Sequence, residues 1–268
     1  MRTWASVVGL AACLATAVAI APEIGTAADA AHPTVVELFQ SQGCSSCPPA
    51  NANVMAIESR PDILALSWQV TYWDNLGWKD TFASPAFTSR QWDYAHALHH
   101  EDVFTPQVVV NGRADVVGDH RDQLDALIRS ADRGGSGPQI SVSGARVTIG
   151  GGTGKGAVLL VRYDPRIIQV PVQRGENAGR TLPHRNVVRE VVRLGDWDGH
   201  ARTYPLPAPG QPVWRRPSSC SPVLAGRSLP PRGHRPLDGG GLACRVRLNQ
   251  AMLVLLGLAI SPRPGPGG

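Results

Sequence analysis

Long hydrophobic runs are scarce in this chain of 268 residues. Apart from the N-terminal stretch, none reaches the roughly 18 apolar residues that a membrane helix needs. Cysteine is sparse too. Five residues are too few for a small disulfide scaffold, so each is read by its own neighbourhood. Cys44 and Cys47 have no second Cys-x-x-Cys and no histidine pair at finger spacing to complete the four or so ligands of structural zinc. Charged residues make up only 18% against 43% hydrophobic, which excludes a fully disordered chain. Basic charge is missing from most of the length: residues 208–268 hold eight arginines against Asp238, while residues 1–207 hold 18 bases against 20 acids. A nucleic-acid reader needs a basic face on its folded part, so nucleic acid is set aside as a partner.

What is present begins with a targeting pattern. Met1-Arg2-Thr3-Trp4 places one positive charge ahead of an apolar run from Ala5 to Ala21, and Ala28-Asp29-Ala30 fits an A-x-A cleavage rule. Residues 1–30 are read as a secretory signal peptide, with an uncleaved anchor helix as the alternative. Leu10-Ala11-Ala12-Cys13 looks like a lipoprotein box, but the apolar run continues past Cys13, which speaks against lipidation. The expectation is a secreted or periplasmic protein with no stable membrane span after signal cleavage, in a compartment where disulfides persist.

Thr34 to Phe39 is a short β-rich run, followed by Cys44-Ser45-Ser46-Cys47-Pro48-Pro49 and helix formers from Ala50 to Ser59. Ile63 to Val70 reads as a buried strand, so the segment predicts a βαβ unit with a parallel pair. A loop dense in Trp and Asp covers residues 71–83. Ser84-Pro85 reads as a cap with proline in the first helical turn, and Phe87, Gln91, Tyr94, Ala95 and Leu98 recur at helical spacing. Thr105 to Gly112 is a strand closed by an Asn-Gly turn, Ala114 to Gly118 the returning strand, and Asp119 the cap of a helix with Leu124, Leu127 and Ile128 on one face. After a linker at 133–138 the pattern changes to strands, with β-rich runs at 140–149, 157–161, 170–173 and 187–192. From residue 208, ten prolines and ten glycines among 61 residues mark non-globular sequence.

A Cys-x-x-Cys between a strand and a helix brings two sulfurs within bonding distance. The helix N-terminus favours a thiolate there. Cys44 is therefore expected to be the exposed nucleophile and Cys47 the buried resolving thiol of a thiol–disulfide exchange. An inert structural disulfide is the alternative.

Strand, Cys-x-x-Cys, helix, strand, then Thr105-Pro106 before a strand, a hairpin and a last helix resembles the thioredoxin fold. The resemblance implies a cis Thr105–Pro106 bond packed against the dithiol. Cys-Ser-Ser-Cys after Gly43 departs from thioredoxin's motif, which leaves the redox direction open. More closely, Glu37-Leu38-Phe39, Gln42 to Ala50, Tyr72-Trp73-Asp74, Leu76 to Asp80, Thr105-Pro106-Gln107, Val110-Asn111-Gly112, Gly175-Glu176-Asn177-Ala178-Gly179 and Asn186-Val187-Val188 resemble a secreted bacterial family called domain of unknown function 1223. That resemblance covers about 33–207 and supplies architecture and compartment, not a substrate.

The resulting expectation is an α/β protein. A thioredoxin-like domain spans 33–133, a small antiparallel β domain 138–207, and a disordered Pro/Gly/Arg-rich tail 208–268, read as the product of a reading-frame shift. Cys44, Cys47 and Pro106 are the expected catalytic residues, acting on protein thiols or disulfides. Trp73, Asp74, Trp78 and Thr105 are the expected substrate-binding residues, with a core role as the alternative for the aromatics. Asp74 and Glu37 compete as proton relay to Cys47. No cofactor or resident metal is expected. Cu(I) held by the dithiol is the rival, with His96, His99 and His100 as further ligands if the helix end is not simply solvated. Gly150 to Gly156 reads as a hairpin turn, and Glu176, Asn177 and His184 as turn residues or a functional loop.

Overall fold

The computed structural model of the chain describes residue 28, residues 32–131 and 137–208, and the backbone of 251–258. The segment expected to be a signal peptide, apart from residue 28, lies outside the described residues, as do Cys13, Cys220, Cys244, most of the linker and most of the tail.

The elements follow the sequence signals closely in the first half. These are β1 (Thr34–Gln40), α1 (Cys47–Met55), β2 (Ile63–Gln69), α2 (Pro85–Ala97), β3 (Gln107–Val110), β4 (Ala114–Val117) and α3 (Arg121–Ser130). α1 starts three residues earlier than its helix formers suggest, because Pro48 and Pro49 sit in a first turn whose N–H groups have no helical partner anyway. Ser84 is the extended N-cap residue of α2, although its hydroxyl makes no capping bond. α3 takes His120 rather than Asp119 as its cap.

The second half consists of β5 (Ile140–Ser143), β6 (Arg146–Ile149), β7 (Gly156–Asp164), β8 (Ile168–Pro171), β9 (Thr181–His184), β10 (Val187–Trp197), β11 (Arg202–Pro205) and β12 (Ala251–Leu258). One seven-stranded mixed sheet runs β12-β7-β10-β2-β1-β3-β4, beside a three-stranded sheet β11-β6-β5 and the hairpin β8-β9. β1 is parallel to β2 and antiparallel to β3, which is antiparallel to β4. β7 and β10 stand in the same sheet as β1 to β4: Val187 pairs with Ser67 of β2, the Ser67 N–H donates to the Asn186 carbonyl, and the Asn186 amide donates to the Ala65 carbonyl. Gly150 to Gly156 is not a hairpin turn, because β6 and β7 belong to different sheets. Within the tail, β12 pairs with β7 from Gly156 to Tyr163 and so covers an edge that would otherwise be open.

Alternation along β1 sorts the core. Val36 and Leu38 face α1 and α3, packing with Ala50, Val54, Ile57, Leu124 and Ile128. Val35 and Phe39 face α2, packing with Trp68, Phe87, Val109 and Val188. The same alternation sends Glu37 toward α2 and Gln40 toward α1, which decides what each can touch.

Candidate functional site

The site is built where β1 runs into α1. Cys44 lies in the turn and Cys47 is the first residue of α1. The two are disulfide-bonded, with Cα atoms 5.4 Å apart. The turn is closed by the Cys44 N–H donating to the Ser41 carbonyl and the Cys47 N–H to the Cys44 carbonyl. Cys44 Sγ lies 3.3 Å from Ser46 Oγ. Ser45 and Ser46 are exposed.

Cys44 is not exposed as expected: its exposure is 0% and that of Cys47 is 1%. The cover comes from the far half of the chain. The β8–β9 connection lays Gly175 to Gly179 over the turn. The buried Asn177 amide donates to the carbonyls of Gln42 (3.0 Å) and Cys44 (2.8 Å), and Arg180 donates to Asn177 Oδ1 (2.7 Å). Glu176 accepts the Ser45 N–H at 2.9 Å, a bond that holds its carboxyl below the usual range. Gly175 and Gly179 bound the loop with φ of 79° and 80°, left-handed backbone that suits glycine.

The residues expected to bind substrate divide between roles. Trp73 links the two halves of the turn region: its indole N–H donates to Thr105 Oγ1 at 2.8 Å, and its Cβ would lie 3.6 Å from a Cβ placed on Gly43. Thr105–Pro106 is a cis peptide, as the resemblance implies. The Trp78 indole donates to Gln42 Oε1 at 3.0 Å, and its half-buried ring packs with Val170, Val172 and Leu182. Asp74 accepts the Asp80 N–H at 3.0 Å through Oδ1.

Glu37 is also engaged elsewhere. Arg90 of α2 grips its carboxylate with two hydrogen bonds of 2.7 and 2.8 Å, and Tyr94 donates a third. The three histidines do not converge on the dithiol. His100 Nε2 meets the Asp115 carboxylate at 3.0 Å, His96 stacks near Trp92, and no group of three metal-ligating side chains is found among the described residues.

Sequence reasoning gives Asp80 no role of its own and reads His184 only as a turn or functional-loop residue. Asp80 is buried and accepts the N–H groups of Gln42 (2.7 Å) and Phe82 (2.8 Å), so it braces the residue two before Cys44. Burial pushes its carboxyl up to about 7 against the pull of those N–H bonds, with Asp74 adding to the rise. His184, at the end of β9, is buried beside Cys47 in a pocket shared with Gln40, Ser41, Asn51 and Leu182. The residue types in the loop and hairpin are visible in the sequence, but no spacing marks them as neighbours of the dithiol.

The Asp80 shift makes a testable statement about stability. Between pH 3.8 and about 7 the folded carboxyl holds a proton that the unfolded chain has released. The contribution is therefore full below that window and fades as pH rises through it. An Asp80→Asn variant is expected to lose this decline. In urea unfolding at stepped pH, its stability relative to wild type should rise by up to about 1.4 kcal/mol per pH unit. A difference flat with pH would mean that Asp80 is ionised throughout.

A family model described as "Protein of unknown function (DUF1223)" matches residues 35–220, extending past the point where the residue-level resemblance stops. Among solved structures, the crystal structure of an Agrobacterium tumefaciens protein is 38% identical, with a TM-score of 0.54 over 65% of this chain and 78% of that one. HBP35 of Porphyromonas gingivalis is 12% identical, with a TM-score of 0.43 over 69% of this chain and 80% of that one. Among curated proteins nothing matches.

Proposed function

Because the chain belongs to the DUF1223 family, whose function is unknown, membership brings no activity, and we propose from the site itself an exported, thioredoxin-like thiol–disulfide oxidoreductase working through Cys44 and Cys47. The observation that carries this reading is the disulfide closed across the strand-to-helix turn, with Cys47 opening α1. The sheet order β2-β1-β3-β4, with one parallel and two antiparallel pairings, supports the thioredoxin-like assignment.

In the reduced protein the Cys44 thiolate attacks a substrate disulfide. One substrate sulfur leaves as a thiolate, and a mixed disulfide forms at Cys44. Cys47 then displaces the second substrate sulfur and closes the bond between the two cysteines, so two electrons pass to the substrate. A substrate dithiol attacking the closed bond runs the same steps backwards. The helix N-terminus and the Ser46 hydroxyl stabilise the Cys44 anion. Either direction requires the Gly175–Gly179 loop to lift, so substrate access is gated.

The second reading is an inert structural disulfide, and it has its own support in the burial of both sulfurs. A Cys47→Ala variant separates the two. In periplasmic extract it is expected to accumulate adducts at Cys44 that dithiothreitol releases and that are missing when Cys44 is also replaced. No adduct, together with a wild-type bond that resists reductant in the folded state, would make the disulfide structural.

A further inference from the structure

The resolving step needs somewhere for the Cys47 proton to go; of the two carboxylates expected to take it, Glu37 is held by Arg90 and Tyr94, and Asp74 bonds the Asp80 N–H. The side of Cys47 that faces away from the covering loop offers another group. Cys47 and Asn51 stand one turn apart on the same face of α1. Asn51 is fixed by Gln40, whose amide donates to Asn51 Oδ1 at 2.8 Å, and it donates in turn to the Pro183 carbonyl at 2.8 Å. That bond draws the end of β9 against the Cys47 face of the helix, and the next residue, His184, lines the same pocket as Cys47. His184 is buried, and neither ring nitrogen has a hydrogen-bond partner among the described residues. Buried polar atoms are nearly always paired, so an imidazole left with both nitrogens unpaired beside a reactive sulfur calls for an explanation.

We propose that His184 is the acid–base partner of Cys47, taking the thiol proton as Cys47 attacks the mixed disulfide. The inference rests on the thiol–disulfide reading. The Cys47 S–H bond breaks and its proton passes to an imidazole nitrogen. The Cys47–Cys44 bond forms as the bond from Cys44 to the substrate sulfur breaks, and the departing substrate thiolate takes a proton from water. In the opposite direction, the imidazolium returns its proton to Cys47 as a substrate thiol opens the disulfide.

The surroundings keep the imidazole neutral until a thiolate forms beside it. Burial, aided by the charge of Arg189, lowers His184 to about 4 in the disulfide state. Arg189, on β10, lies over the Phe82 ring at 4.1 Å and 3.9 Å from Asp164. Phe82 meets His184 edge-on, with ring centroids 5.8 Å apart. Asp80 lies within electrostatic range of Arg189, and Arg185, next in sequence, meets the buried Glu58 carboxylate at 3.5 Å. On α1, Cys47 is the ionisable group that lines the pocket with His184. A Cys47 anion supplies the negative charge that the imidazolium needs.

The test reads Cys47 directly. In a Cys44→Ala background, the Cys47 ionisation is followed residue by residue with carbon-13-labelled cysteine and NMR. His184→Phe keeps an aromatic ring against Phe82 and is expected to raise the Cys47 midpoint by about one unit or more, a tenfold or greater loss of thiolate at fixed pH. In the protein with both cysteines, His184→Ala is expected to slow closure of a preformed glutathione adduct at Cys44 at least tenfold, with added imidazole restoring much of the rate. A folded His184→Phe variant with an unmoved Cys47 midpoint, or a His184→Ala variant deaf to imidazole, overturns the proposal. Adduct formation at Cys44 in the Cys47→Ala protein does not involve His184, so failure there overturns the oxidoreductase reading and the inference with it, whereas the two results above overturn the inference and leave that reading standing.

Discussion

Replacing Asn177 by alanine is expected to speed reduction of the Cys44–Cys47 disulfide by dithiothreitol roughly 30-fold. Both sulfurs are buried and the loop is bonded to the backbone on either side of the Cys44 turn, so reductant is expected to wait for an opening. The Asn177 amide makes two buried hydrogen bonds, to the Gln42 and Cys44 carbonyls, that exist only in the closed state. Each bond contributes about 1 kcal/mol net, and losing both makes the opening about 2 kcal/mol easier, which corresponds to about 30-fold at 25 °C. Free-thiol release after mixing with reductant measures the effect. Glu176→Gln should give a much smaller acceleration, because that carboxylate is exposed to water and its bond to Ser45 is screened. Equal rates for wild type and Asn177→Ala would show that reductant reaches the sulfur without the loop moving.

The largest stability effect is expected at Arg90. Its guanidinium neutralises Glu37, a buried carboxylate on the central strand β1, through a two-pronged ion pair. It also lies over the rings of Trp68 and Tyr94 at 5.1 and 4.9 Å. An Arg90→Leu variant leaves that carboxylate buried without its counter-charge and should lose about 3–5 kcal/mol, a large share of the roughly 5–15 kcal/mol that holds a typical domain together. The double variant Glu37→Leu/Arg90→Leu should recover most of the loss, since two apolar groups replace the pair. Urea unfolding with the disulfide intact checks both. A double variant no better than the single one would mean that Arg90 acts through packing on Trp68 rather than through charge.

What the sequence makes legible follows from how local each signal is. The βαβ unit, the proline-started helices and the Asn-Gly hairpin are written within a dozen residues each, and the structure places them within a few residues of expectation. The disulfide is equally local, with two residues between its cysteines. The partner of a strand is not local. Val187 to Val192 has β character in any sheet, and only the open edge of β2, some 120 positions earlier, makes β10 its neighbour. The burial of Cys44 is hidden for the same reason, because the covering amide comes from position 177. Asp80 sits in a loop that reads as polar, and nothing in its neighbours announces a carboxylate shielded from water. His184 ends an ordinary strand, and its relation to Cys47 exists only through Asn51 and Pro183.

The splice of β10 onto β2 bears on how the two halves can be handled. A fragment cut at residue 131 would carry the dithiol turn and α1 to α3 but would lose the Val187–Ser67 pairing and the Asn186 bonds that hold β10 to the middle of β2. The residues bared there belong to a strand almost wholly apolar or buried in the intact chain, and such a border invites pairing with a second copy. The excised piece would thus present sticky backbone and an unshielded sulfur pair at once. The later residues shield the middle of β2 and the Cys44 turn from within the same chain.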